Sequence, residues 1–271
     1  MPDQPHLDLN DGRSMPQLGL GVWQTAAEET ARVVGLALDA GYLAVDTASI
    51  YGNEEGVGEA LQGRDCFLTT KLWNDAQGYD ATLRAFEASA KRLKRDSVDL
   101  YLIHWPAPRK DLYVDTWKAF IRLREEGRAK SIGVSNFNAD HLQRLVDETG
   151  VTPAVNQIEL HPSFQQRAMR AADDGLGVKT ESWSPLGQAK ALDDPTLRAI
   201  ADKHGKTAAQ VAIRWHIDSG LIVIPKSSNP DRLRENLDVF DFRLDNDDMA
   251  RIGALDREDG RIGPDPMSAD F

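Results

Sequence analysis

Four side chains able to move a proton fall where apolar runs give out. In "YLAVDTASIYGNEEGVG", residues 42–58, the run "LAV" ends at Asp46 and Tyr51 follows in a glycine-bearing loop. "FLTTK" closes on Lys71 and "DLYLIH" on His104. A free phenol has a pKa of about 10 and is a weak acid near neutrality. A nearby ammonium favours the phenolate, so Lys71 beside Tyr51 is expected to lower that value. Asp46 would hold Lys71 charged and oriented, and His104 would donate a hydrogen bond to a substrate oxygen. A lone aspartate or lysine at a strand end is ordinarily a cap or a surface charge. The joint occurrence of acid, phenol, ammonium and imidazole carries the reading.

Tyr51 would then protonate an oxygen as negative charge develops on it, and reduction of a carbonyl by hydride suits the set. Hydride needs a carrier. "LIVIPKSSNPDRLREN" sets a cation and two serines between a strand and a helix start, where backbone N–H groups favour an anion. Lys226, Ser227 and Arg232 could surround a dianionic phosphate such as the 2′-phosphate of NADP. In isolation the same stretch also reads as a basic capping turn.

The elements that must position these residues recur along the chain. "LAVDT", "CFLTTKLW", "VDLYLIHW", "AKSIGVSN", "AVNQIELH", "VKTESWSP" and "LIVIPKS" are apolar-dense, with "QLGLGVW" as an eighth. Density without alternation predicts strands covered on both faces. Between them lie helical patterns: Val33, Val34, Ala37 and Leu38 on one stripe, then Trp117, Phe120 and Ile121, then Leu142, Leu145 and Val146. Thr207 and Gln210 have capping-box spacing, and Asn229 precedes Pro230 as an N-cap would. Eight strand–helix alternations without a linker predict an α/β fold, a single (β/α)8 TIM barrel over residues 1–271. An open doubly wound sheet is the rival. A barrel keeps its active site at the C-terminal ends of the strands, where Asp46, Lys71 and His104 would meet.

Composition excludes other classes. The 271 residues carry 43 Asp+Glu against 32 Lys+Arg, a formal net charge of −11. Such a surface repels phosphate backbones and anionic lipid, so no nucleic-acid or membrane partner is expected. The single cysteine, Cys66, rules out an internal disulfide and sits in a strand-like run. The N-terminus lacks the basic start of a signal peptide, and no apolar run approaches about 18 residues. A cytoplasmic protein is expected. Gly19–Gly21 and Gly56–Gly58 do not complete a dinucleotide fingerprint and read as turn or packing glycines. His161, before Pro162 at a strand end, reads as satisfying loop backbone; His6, His141, His204 and His216 show no ligand spacing, and no metal is expected.

In "DTASIYGNEEGVGEAL", "TTKLW", "VDLYLIHWP", "SIGVSNF", "NQIELHP", "SWSPLG" and "IPKSSNPDRLREN" the chain resembles the aldo-keto reductases, over nearly all its length. "WND", "NEEGVG", "ELHPSFQQR" and "ENLDVFDF" are most similar to bacterial 2,5-diketo-D-gluconate reductases, which reduce α-keto and dicarbonyl compounds with NADPH. The resemblance implies that Asp46, Tyr51, Lys71 and His104 form the catalytic tetrad. It implies that Ser135, Asn136 and Gln157 hold the nicotinamide carboxamide and that Trp183 stacks on the ring. Ser184, Leu186, Gly187 and Gln188 would line the pyrophosphate loop, and Lys226, Ser227, Ser228, Arg232, Glu235 and Asn236 the adenosine end. Trp23, Ile50, Trp73, Asn74, Trp105 and His104 would border the substrate. A short loop after "SPLGQ" and a brief C-terminus imply an open site for small polar carbonyls, in a monomer. Two other functions remain open: an NADPH-binding regulatory subunit on the same scaffold, and a sugar or polyol dehydrogenase working oxidatively.

Overall fold

An antiparallel hairpin that the apolar pattern does not signal opens the described chain: β1 (His6–Asp8) and β2 (Ser14–Pro16), paired His6 to Pro16. The computed structural model describes residues 4–269, so the expected span 1–271 runs past the described residues at both ends. Leu9 and Met15 of the hairpin pack with Leu100, Leu102, Ala154, Val155 and Ile222. The hairpin thereby plugs the end of the barrel where the strands begin.

Eight parallel strands follow: β3 (Leu20–Gly21), β4 (Ala44–Asp46), β5 (Phe67–Leu72), β6 (Val98–Ile103), β7 (Ala129–Ser135), β8 (Val155–Glu159), β9 (Lys179–Trp183) and β10 (Ile222–Val223). Each bonds to the next in chain order. Val223 N donates to Gln17 O and Gly19 N to Val223 O, both at 2.9 Å, which closes the circle from β10 to the approach to β3. This is the (β/α)8 fold expected from the alternation, and closure excludes the open sheet.

The intervening helices are α1 (Ala27–Ala40), α2 (Glu54–Ala60), α3 (Tyr79–Leu93), α4 (Tyr113–Glu125), α5 (Ala139–Thr149), α6 (Arg167–Gly175), α7 (Pro195–His204), α8 (Ala208–Asp218), α9 (Pro230–Leu237) and α10 (Asn246–Gly253). Thr207 and Gln210 form the predicted capping box of α8, and Asn229 caps α9 with Pro230 in its first turn. Tyr101, projecting outward from β6, stacks on Phe120 of α4 at 4.4 Å between ring centres and meets Phe86 of α3 edge-on at 5.1 Å. Aromatic pairs of this kind contribute about 0.5–1.5 kcal/mol each beyond area burial. The discounted glycines prove to be close-packing positions: a Cβ on Gly21 would lie 3.0 Å from Ile224 O, and one on Gly58 2.5 Å from Leu93 O.

Strand parity decides what enters the barrel. On β5, Leu68 and Leu72 face the helix layer, so Lys71 faces inward with Thr69. On β4, Val45 packs outward and Asp46 turns in, paired in register with Thr69. On β8, Asn156 reaches out to Asp173 of α6, leaving Gln157 and Glu159 inside. On β9, Thr180 also bonds to Asp173, leaving Glu181 and Trp183 inside.

Candidate active site

The inward residues meet at the C-terminal mouth. Lys71 is fully buried and donates to Asp46 Oδ1 at 2.5 Å and to Thr47 O at 3.0 Å. Tyr51 is half-buried above them, its ring centre 5.2 Å from Lys71 Nζ. His104 meets the Tyr51 ring edge-on at 5.6 Å and the Trp73 ring at 5.1 Å. The four residues that the sequence singles out are therefore brought into one cluster.

Tyr51 ends a 3-10 turn, Ser49–Tyr51, and the loop that carries it is fastened from several sides. Thr47 Oγ1 donates to Asn53 Oδ1 at 2.7 Å, while Asn53 Nδ2 donates to Val22 O at 2.9 Å. Ser49 Oγ donates to Lys71 O at 3.0 Å. The first residue of α2, Glu54, is buried and accepts from Thr70 Oγ1 at 2.6 Å and from Arg92. Each such bond contributes about 0.5–1.5 kcal/mol net, more where one partner is charged. The loop is held rigid before any ligand arrives.

Electrostatics correct one expectation. Lys71 does pull the Tyr51 phenol down, but burial outweighs it, helped by the Asp46 charge, and Tyr51 lies above its ordinary value. The phenol therefore keeps its proton at neutral pH, the form a proton donor needs. Burial works against the Lys71 ammonium, yet Asp46, Tyr51 and Glu181 together raise it above its usual value. Burial, with the Lys71 charge, holds His104 well below the imidazole range, so it is neutral. His104 Nδ1 is buried without a hydrogen-bond partner. An orphan lone pair is better tolerated there than an orphan N–H, which assigns the proton to Nε2.

The expected carboxamide residues lie beside this cluster. Asn136 adopts φ +62°, donates through Nδ2 to His104 O and to Ser135 Oγ, both at 3.0 Å, and accepts from Trp183 Nε1 at 2.8 Å. Ser135 Oγ donates to Gln157 O at 2.7 Å. Gln157 Nε2 donates to Asp46 Oδ2 at 2.9 Å and to Glu181 Oε2 at 2.8 Å. Burial, with the Asp46 charge close by, raises the Glu181 carboxyl above its ordinary value.

Beyond Trp183 the chain turns sharply. Ser184 has φ +50° and Gln188 φ +53°; Leu186 is half-buried, Gly187 buried and Gln188 exposed. The segment Gly187–Asp193 holds short 3-10 turns broken by left-handed backbone at Gln188 and Ala189, and α7 begins at Pro195, so the loop is short as expected. At the adenosine end, Lys226, Ser228 and Arg232 are exposed, Ser227 and Asn236 buried, and Glu235 half-buried with Oε1 accepting from Thr207 Oγ1 at 2.7 Å. Here a second expectation changes. Asn229 Oδ1 already accepts from Asp231 N and Arg232 N, so the first amides of α9 are occupied by the cap. A phosphate would rely on the side chains instead. Lys226 and Arg232 form no ion pair among the described residues, which suits a dianion.

Of the expected substrate border, Trp23 is 46% and Ile50 49% exposed on the rim, Trp73 half-buried, and Asn74 and Trp105 buried. The C-terminal segment also reaches the mouth, a contact the sequence does not signal. Glu159, buried at the end of β8, accepts from Ile262 N at 2.5 Å and Gly263 N at 2.8 Å. His161 Nε2 lies 3.2 Å from the same carboxylate, and its Nδ1 3.0 Å from Ser163 Oγ, so this histidine serves side chains rather than loop backbone. Burial disfavours the Glu159 charge, but His161 and the two amides hold the carboxyl below its usual range. A Cβ on Gly263 would lie 2.5 Å from the Trp183 ring. An open groove of about 960 Å³ on the outer face, bordered by Arg167, Arg170, Asp174 and Lys179, contains none of the expected site residues.

A closed (β/α)8 barrel with a buried ion pair beneath a tyrosine, and a cationic turn after the last strand, defines a class of nicotinamide-dependent oxidoreductases. The chain belongs to the aldo-keto reductases: the Aldo/keto reductase family matches residues 16–257. It is 60% identical over 273 residues to an aldo-keto reductase of Mycobacterium sp. (strain KMS), with 98% of each chain covered. It is 53% identical over 267 residues to the methylglyoxal reductase DkgA of Escherichia coli (strain K12), with 96% of each covered. The crystal structure of a Gox0644 mutant in complex with NADPH is 58% identical and superposes with a TM-score of 0.98, over 99% of this chain and 100% of that one. The chain is an NADP(H)-dependent oxidoreductase, with NADPH as its cofactor. Its partners are small carbonyl compounds. Among the described residues, no helix is long and apolar enough to cross a membrane.

Proposed function

We propose that the chain reduces α-keto and dicarbonyl compounds to alcohols, with methylglyoxal-like dicarbonyls and 2,5-diketo-D-gluconate, reduced to 2-keto-L-gulonate, as the substrate class. The observation that carries the mechanism is the buried Asp46–Lys71 pair beneath Tyr51. Bound NADPH supplies the hydride. His104 Nε2–H holds the carbonyl oxygen and orients it. Tyr51 delivers its proton to that oxygen as the carbonyl carbon is reduced, and Lys71 stabilises the phenolate that remains. Asp46 keeps Lys71 charged and aimed. Ser135, Asn136 and Gln157 hold the carboxamide, and Trp183 supports the ring. Lys226 and Arg232 take the 2′-phosphate, with Ser227, Ser228, Glu235 and Asn236 around the adenosine. Trp23, Ile50, Trp73, Asn74 and Trp105 border a small substrate. The dicarbonyl preference draws on the likeness to the methylglyoxal reductase. A cytoplasmic location and a monomeric state are part of this reading, the monomer resting on the family resemblance.

The test is NADPH oxidation with 2,5-diketo-D-gluconate, methylglyoxal, a β-keto ester, xylose and an aromatic aldehyde, each repeated with NADH. Rapid NADPH-specific turnover of a dicarbonyl supports the proposal. Tight NADPH binding with slow turnover throughout points instead to a regulatory subunit. Faster oxidation of a polyol than reduction of any carbonyl points to a dehydrogenase.

A further inference from the structure

Glu181 has no part in the mechanism above, yet it is fully buried at its base. It stands on β9 in register with Gln157 of β8 and Ile222 of β10. It shares the inward face of its strand with Trp183, one pleat deeper in the barrel. Gln157 Nε2 donates to Glu181 Oε2 at 2.8 Å and to Asp46 Oδ2 at 2.9 Å, which uses both amide hydrogens.

Those two acceptors determine which way the amide points. Reversed, Gln157 Oε1 would face two carboxyl oxygens with no hydrogen between them. As oriented, Oε1 turns away from both acids. It accepts no hydrogen bond from the described residues and is not among the sealed, unpartnered atoms, so it meets the mouth. Either protonation state of Glu181 leaves Oε2 able to accept. Asp46 alone would fix one of the two N–H bonds and leave the amide free to pivot about it.

We propose that Glu181 is a positioning residue: by taking the second N–H of Gln157, it fixes the Gln157 carbonyl as the acceptor for the carboxamide NH2 of the nicotinamide. This rests on the reading above that Gln157 holds the carboxamide. The carboxamide direction decides which face of the nicotinamide ring meets the substrate. A pivoting Gln157 lets the ring settle in two orientations, which differ in the C4 hydrogen they present. Glu181 therefore acts on the stereochemistry of hydride transfer without touching cofactor or substrate.

The experiment uses NADPH deuterated at either C4 position and reads deuterium in the alcohol product by mass spectrometry, beside NADPH titrations. The native enzyme transfers from one face only. Glu181→Met keeps the volume and removes the acceptor; it should release label from both faces and weaken NADPH binding about three- to tenfold. Glu181→Gln retains a carbonyl acceptor and should restore single-face transfer, a rescue that a space-filling role does not predict. Where Glu181→Met does not fold, Glu181→Leu takes its place. Single-face transfer and native affinity in the apolar variant overturn the proposal. Gln157→Leu separates the two levels. If it too keeps single-face transfer and native affinity, the carboxamide assignment fails. If it loses both while Glu181→Met keeps them, the role of Glu181 alone fails.

Discussion

Two lysines stand at the mouth ends of barrel strands, Lys71 near the end of β5 and Lys226 beyond β10. Lys71 is fully buried and bonded to Asp46 within the protein. Lys226 is exposed and, like Arg232, has no ion pair among the described residues. The first arrangement spends its charge internally: the Lys71–Asp46 pair is complete before any ligand binds and cannot be screened by salt. The second leaves its charge for the ligand. Chemistry at a fixed point calls for preorganisation. Capture of a dianion calls for exposed cations whose attraction is long-ranged and salt-sensitive.

The largest expected break in that contrast is Tyr51→Phe. Removing the proton donor should lower kcat by about two to four orders of magnitude while NADPH affinity stays native, read by steady-state kinetics and a fluorescence titration. Retention of most activity would remove Tyr51 from the mechanism.

Next comes Lys71→Met, which strands a buried carboxylate. Breaking a buried pair costs about 3–5 kcal/mol, a fall in Tm of roughly 10 °C for a chain this size. Activity should be lost as well. Arg232→Gln, on the exposed arm, should leave Tm unchanged. A native Tm in the lysine variant would show that the floor is not held by this pair.

A smaller effect is expected from Arg232→Gln on binding: NADPH affinity about tenfold weaker, NADH affinity unchanged. Rising salt should weaken NADPH binding in the native enzyme more than in this variant. Equal losses for both cofactors would count against recognition of the 2′-phosphate.

The smallest effect is an absence of pH dependence. Tyr51 lies above its ordinary value, so it stays protonated into alkali. His104 lies well below its own, so it does not charge on mild acidification. The chemical step of reduction should be level between about pH 6 and pH 9, measured by single turnover. A fall in rate as pH rises through neutrality that disappears in His104→Asn would mean that the imidazolium is the working form.

Much of this site is legible in the sequence because a strand end is a positional signal. Asp46, Lys71 and His104 each interrupt an apolar run, and barrel closure converts three interruptions into one cluster. Glu181 gives a weaker signal. It lies inside "TESW" and looks like any polar strand residue, and only its parity with Trp183 marks it as inward. The hairpin is hidden for a different reason: its strands have three residues each, too few for a periodic pattern. "NDG" at 10–12 was the available cue for its turn. The direction of the Tyr51 shift was not legible at all, because spacing reveals the neighbouring ammonium but not the depth of burial that outweighs it.

The contact between Glu159 and the C-terminal segment has an evolutionary consequence. Its carboxylate grips two main-chain amides, Ile262 N and Gly263 N, and so reads no side chain of the tail. Sequence is constrained there at Gly260 against Ser163 O, at Gly263 against Trp183, at Arg261 over the Phe164 ring and at the buried Pro266. Exposed tail positions such as Pro264, Met267 and Ser268 are free to drift while the anchor stays in place. New side chains can then be offered at the rim with Asp46, Tyr51, Lys71 and His104 undisturbed. Divergence in substrate choice is cheapest in this segment, far in sequence from the residues that carry the chemistry.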